Sequence, residues 1–93
     1  MRRELLKENE LAQALTTLDG WRSEDKFLKK HHKFENFAAA IDFVNRVGAL
    51  AEAADHHPDI TFGWGYADIA LTTHDCGGIT DVDVALAAKI DAI

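Results

Sequence analysis

The sequence predicts an α+β domain in which a four-stranded antiparallel sheet has helices packed on one face, in the order α-β-β-α-β-β-α. Three observations predict it. In a long central segment Phe37, Ile41, Val44, Val47, Ala51 and Ala54 recur three or four residues apart, the period of an amphipathic helix. On either side of it lie stretches of β-type residues in which inward and outward positions alternate, the period of strands. In the second of these the alternation changes parity across Gly63-Trp64-Gly65, as a tight hairpin turn produces.

Each element has its own local cause. The first helix is predicted from Asn9, a candidate N-cap, to Leu18, with Leu11, Leu15 and Leu18 at helical spacing. Asp19-Gly20 stops it. Trp21-Arg22 begins an extended piece, and Ser23-Glu24-Asp25 reads as the turn before a second strand, Lys26 to Phe34. There Leu28, His32 and Phe34 share one face while Lys29, His31 and Lys33 share the other, so the hairpin has one wet side. Asn36 is the candidate N-cap of the central helix, which runs to about His56 because Pro58 disfavours helical geometry at His57. Ile60, Phe62 and Trp64 alternate in one strand, and Ala67, Ile69, Leu71 and Thr73 in the next. Gly77-Gly78 breaks the exit. Thr80-Asp81-Val82-Asp83 resembles a capping box with Asp in place of the usual Glu. It opens a last helix with Val82, Leu86, Ile90 and Ile93 on one stripe.

Composition bounds what such a domain can do. Ten Lys and Arg against sixteen Asp and Glu leave a net charge of −6 over 93 residues. That balance repels phosphate backbones and argues against direct nucleic-acid binding. A hydrophobic fraction of 47% suffices for a core and argues against disorder. No linker or repeat divides the chain, so residues 1–93 are read as one domain. A chain this short buries only roughly 60–65% of its unfolded surface, so an oligomeric interface is expected. The single cysteine, Cys76, excludes an internal disulfide and fits a reducing cytoplasm. No run approaches a membrane span, and Met1-Arg2-Arg3-Glu4 is not followed by a signal-peptide core.

Chemistry is expected where elements end. His56 and His57 close the central helix and His74 closes the last strand. Loops beside a rigid scaffold are where catalytic groups are placed, and imidazole holds both protonation states near neutral pH. Two or three in one pocket would allow a proton to be delivered and another removed in one turnover. Glu52, four residues before His56, shares its helix face and could orient an imidazole. Asp55, His56 and His57 cannot all face one way on a helix, so the chain exit at Pro58 must help aim them.

Plainer readings stand beside these. His56 alone could be a partner of the helix dipole, and His57 a solvated loop residue. A metal site is disfavoured, because there is no second Cys and no His pair at i, i+4. His31 and His32 point to opposite faces of a lysine-rich strand and read as structural. Cys76 reads as a small turn residue, Asp83 as a cap, Asp59 and Asp68 as solvent-facing, and Trp64 and Tyr66 as cover for the sheet at its hairpin.

Taken together, Glu52-Ala-Ala-Asp55-His56-His57-Pro58-Asp59, then Thr73-His74-Asp75-Cys76-Gly77-Gly78-Ile79-Thr80 with Asp83, resemble the pterin-4a-carbinolamine dehydratase family. The resemblance runs from Leu11 through Trp21 and Asp42-Phe43-Val44-Asn45-Arg46-Val47 to Leu86-Ala87-Ala88-Lys89-Ile90. A lone His-His-Pro is weak. Coupled to Thr-His-x-x-Gly-Gly-x-Thr-x-x-Asp, with fifteen residues from Pro58 to Thr73, it is specific.

The resemblance implies the same α-β-β-α-β-β-α fold. It also implies loss of water from a 4a-hydroxytetrahydropterin (in biology, 4a-hydroxytetrahydrobiopterin), giving quinonoid dihydropterin, with no metal or organic cofactor. His56 and His74 would be the acid–base pair, and His57 would contact substrate and serve as a secondary base, so that all three are catalytic. Glu52, Asp55 and Asp83 would orient the imidazoles, and Thr73 would line the pocket. A homodimer or homotetramer is implied, with a small-molecule pterin as the partner; the cytoplasm, and the lack of a nucleic-acid or membrane partner, are expected from the composition above. The chain departs from many members at Trp64-Gly65-Tyr66-Ala67, where they carry Tyr-Asn-Lys-Val. That departure, with the non-enzymatic roles in the family, leaves a binding or assembly module as the alternative.

Overall fold

The computed structural model describes residues 4–93. Met1-Arg2-Arg3, the start of the stretch read above for a signal peptide, lies outside the described residues. Helices α1 (Glu8–Leu15), α2 (Phe37–Ala54) and α3 (Asp81–Asp91) alternate with strands β1 (Arg22–Glu24), β2 (Phe27–Lys33), β3 (Asp59–Gly63) and β4 (Tyr66–Leu71). The strands form one antiparallel sheet in the order β1-β2-β4-β3. The predicted class and element order hold.

Register decides which side is wet. Leu28 pairs with Leu71, Lys30 with Ile69 and His32 with Ala67, while Ile60 and Phe62 oppose Ile69 and Ala67 across the other hairpin. That face meets the helices. Leu28, Ile69 and Leu71 are fully buried there with Val47, Leu86 and Ile90, each worth about 1.5–3 kcal/mol of transfer free energy. The outer face carries Lys29, His31, Lys33 and Asp68, with His31 Nδ1 2.5 Å from Asp68 Oδ1 and the His31 ring stacked on Tyr66. Trp64, at the hairpin tip, is 72% exposed, so Tyr66 covers the sheet there and Trp64 does not.

Boundaries moved wherever a local hydrogen bond outweighed the apolar pattern. The N-cap of α1 is Lys7 and not Asn9, because the Glu10 carboxylate accepts from the Lys7 backbone N–H at 2.8 Å. The helix stops at Leu15, three residues short of Leu18, where the Thr16 and Thr17 hydroxyls donate to the carbonyls of Gln13 and Ala14. Ser23 and Glu24 belong to β1. The first hairpin turns through Asp25-Lys26, both with positive φ (53° and 70°), the signature of a type I′ loop. Strand β4 ends at Leu71 and not at Thr73, and His74–Cys76 form a 3₁₀ turn. Ile93, placed on the last helix's apolar stripe, is exposed just beyond its end.

Two predicted caps are present. The Asn36 side chain accepts from the Ala39 N–H at 2.8 Å. Thr80 caps α3, accepting from the Val82 N–H while the Thr80 N–H donates to Asp83.

Candidate active site

The end of α2 aims the first two histidines. Asp55 adopts the left-handed conformation (φ 50°), its N–H donates to Glu52 O, and the His56 N–H donates to Ala51 O. This is a Schellman motif. It ends the helix at Ala54, two residues before the expected His56, and reverses the chain before Pro58 acts. His56 is thereby turned inward, 6% exposed, and His57 outward.

Inside, His56 Nε2 lies 2.5 Å from Asp83 Oδ1. Asp83 is completely buried. Its other oxygen, Oδ2, accepts from the Thr73 hydroxyl and the Thr80 N–H, each at 2.8 Å. The Thr73 hydroxyl is committed to Asp83, so the Thr80 hydroxyl, 2.8 Å away, donates to Thr73 while itself accepting from the Val82 N–H. Every polar atom of the carboxylate is satisfied, and its place at the start of α3 sets its charge against the positive end of the helix dipole. An ionised carboxylate only accepts, so Nε2 of His56 carries hydrogen and Nδ1 is the nitrogen left for other work. Cap and histidine partner are thus one residue.

Outside, His57 Nε2 contacts Glu52 Oε2, with the two side chains 56% and 78% exposed. The carboxylate expected to face His56 along the helix therefore serves His57 instead. The physical reason is the left-handed turn at Asp55, which takes His56 off the helical spiral.

His74 arrives from the opposite direction. The Thr73 N–H donates to Gly78 O and the N–H groups of Cys76, Gly77 and Gly78 return to Thr73 O, closing a tight loop with Cys76 in its 3₁₀ turn. His74 is exposed, and its ring meets Phe27 edge-on at 6.3 Å between centroids.

Asp55, His56, His57 and His74 line one cleft of about 200 Å³, together with Thr72 and Asp75. Thr73, expected to line it, is fully buried behind it on Asp83. Thr72 takes that place, its hydroxyl held by Lys26 O at 2.8 Å. The signal for Thr72 was in the alternation: if Leu71 and Thr73 point inward, Thr72 points outward. Asp75 had no such signal. Among the described residues, no three His, Cys, Asp or Glu side chains are placed to hold a metal ion. His32, outside the cleft, sits among Trp21, Phe34 and Phe43. Burial, reinforced by Lys30, holds its pKa below the ordinary histidine value.

Residues 4–93 match the family model described as pterin 4 alpha carbinolamine dehydratase. A Rubrobacter xylanophilus protein, provisionally named pterin-4-alpha-carbinolamine dehydratase, is 48% identical over 89 residues, which cover 95% of this chain and 83% of that one. Among solved structures, a transcriptional coactivator/pterin dehydratase from Brucella melitensis superposes with a TM-score of 0.89 at 35% identity, over 94% of this chain and 95% of that one. A pterin dehydratase-like protein identified as a RuBisCO assembly factor in the α-carboxysome gives a TM-score of 0.64 at 29% identity, over 77% and 83% of the two chains.

Proposed function

The chain belongs to the pterin-4a-carbinolamine dehydratase family, whose members are hydro-lyases, and from that premise we propose that it eliminates water from a 4a-hydroxytetrahydropterin. The 4a-hydroxyl leaves as water once a general acid has protonated it. A base takes the proton of the neighbouring ring nitrogen, and the carbon–nitrogen double bond of the quinonoid dihydropterin forms. Atoms and charge balance without a redox step, and each proton transfer by a positioned group is worth about 10²–10⁴-fold in rate. His56 and His74 are the acid–base pair and His57 a substrate contact. Asp83 and Glu52 fix imidazole orientations, Asp55 shapes the turn, and Thr73 holds Asp83. In this reading the chain works as one domain over residues 1–93, as a homodimer or homotetramer in the cytoplasm, within tetrahydrobiopterin recycling. No metal or organic cofactor takes part.

The observation that supports this most is the convergence of three imidazoles from two unrelated elements on one cleft. A scaffold has no chemical need of that. Purified protein should accelerate the disappearance of the 4a-hydroxy intermediate's absorbance, and His56→Ala combined with His74→Ala should return it to the uncatalysed rate. Equal rates for wild type and the double variant would sink the proposal.

A second reading, a non-catalytic assembly or regulatory module, is favoured by the likeness to the RuBisCO assembly factor. Calorimetric titration with a pterin analogue separates the two. Heat of binding at millimolar ligand supports the enzyme, and its absence supports the module.

A further inference from the structure

His56 and His57 each have a carboxylate partner. The His74 side chain makes no hydrogen bond to any described residue, and its ring contact is with Phe27. We infer that Phe27 is the positioning residue for His74, holding the imidazole by an aromatic contact that leaves both of its nitrogens free. The inference rests on the dehydratase reading for the use made of His74, though not for the contact itself.

Phe27 reaches that position through a short causal chain. The two-residue Asp25-Lys26 turn, with positive φ at both positions, fixes the register in which Phe27 pairs with Glu24. Leu28 is the core-facing residue of the strand, so its neighbour Phe27 must project from the outer face. There it is the one large apolar side chain on a row otherwise made of Lys29, His31 and Lys33. Such a residue calls for an explanation, since nothing in the core needs it. It is half-buried. Lys29 Nζ stands 5.8 Å from its ring centroid while also bonding Glu24 Oε1 at 2.9 Å. The Thr72 hydroxyl, donating to Lys26 O, ties the end of this hairpin to the segment that leads into His74. The ring is therefore braced by Lys29, and it meets the imidazole at 76°.

The chemistry of the contact matters. A carboxylate on one nitrogen of a histidine selects a tautomer and dedicates that nitrogen. An edge-to-face aromatic neighbour restricts ring orientation without occupying either nitrogen. His74 is thus the imidazole of the cleft able to give a proton from one nitrogen and take one at the other. His56 and His57 are each limited to Nδ1.

The test compares Phe27→Leu, which keeps apolar bulk without the ring, with Phe27→Tyr, which keeps the ring. Phe27→Leu should lower kcat about three- to tenfold, the size of one aromatic contact, with KM within about twofold, and Phe27→Tyr should restore it. In nitrogen-detected NMR of the histidine rings, His74 should shift in Phe27→Leu and return in Phe27→Tyr, with His56 and His57 unmoved. Wild-type kcat and an unmoved His74 signal in Phe27→Leu would overturn the inference. So would signals of all three histidines shifting together with a lower Tm, which marks Phe27 as merely structural. If the wild-type protein proves inactive on the pterin, the dehydratase reading falls. The NMR comparison still decides whether Phe27 sets His74.

Discussion

The imidazole of His56 and the carboxylate of Asp83 stand 2.5 Å apart, although 27 residues separate them in the chain. The contact joins the end of α2 to the first turn of α3 through a group that also caps α3. Stability and proton chemistry are coupled at that atom pair.

Asp83→Ala should therefore be severe. It strands a buried imidazole, the Thr73 hydroxyl and the Thr80 N–H, and breaking a buried pair from one side costs about 3–5 kcal/mol. Urea unfolding followed by circular dichroism measures this directly.

Asp83→Asn should separate the two roles. Two donors claim the Oδ2 position, so the amide oxygen settles there and the NH₂ group turns toward His56. Nε2 must then accept, and the hydrogen moves to Nδ1. The fold should survive while kcat falls about 10²- to 10⁴-fold, the worth of one positioned proton-transfer group. Retained activity would show that the His56 tautomer is irrelevant.

Glu52→Gln should do far less. Both partners of the His57–Glu52 contact are largely exposed, and exposed pairs add little to stability. The urea midpoint should not move, and kcat/KM should fall by no more than about tenfold, below the range of a direct proton-transfer group.

Asp55 tests the turn that aims His56 inward. Left-handed backbone costs an ordinary L-residue roughly 1–2 kcal/mol and glycine nothing. Asp55→Gly should leave stability unchanged or raise it by up to about 1 kcal/mol. Asp55→Val, β-branched at φ 50°, should lower it by about 1–2 kcal/mol or more. Thermal melts of the two variants give the sign.

His32 should give the protein acid sensitivity. Burial, then Lys30, depress its folded-state pKa below 6.5, against smaller opposing effects of the Ala67 backbone and Asp91. The unfolded chain therefore binds the proton first as pH falls, and stability drops below about pH 6.5 toward the folded-state value. Above that window His32 is neutral in both states and contributes no slope. His32→Phe, which suits the ring cluster of Trp21, Phe34 and Phe43, should shrink the stability difference between pH 5 and pH 7.5. An unchanged difference would clear His32 of the effect.

Most of the architecture was legible because its causes are local. The Phe37–Ala54 periodicity, the Asn36 cap, the parity change at Gly63-Trp64-Gly65 and the Thr80–Asp83 box all act over a few residues. Element edges depart from the apolar pattern where competitors equally local leave a weaker mark on it. The Thr16 and Thr17 hydroxyls ended α1, the Asp25-Lys26 turn moved the first hairpin, and the left-handed Asp55 shortened α2.

Local patterns along the chain specify which elements form, their order, and that His56, His57 and His74 fall at their ends. Partners are set by packing: Asp83 for His56, Glu52 for His57, Phe27 beside His74, Thr72 in the cleft and Thr73 behind it. Periodicity and caps depend on neighbours a few positions away, which a sequence displays. A side chain's partner depends on how separate elements cross, which is settled when the core packs.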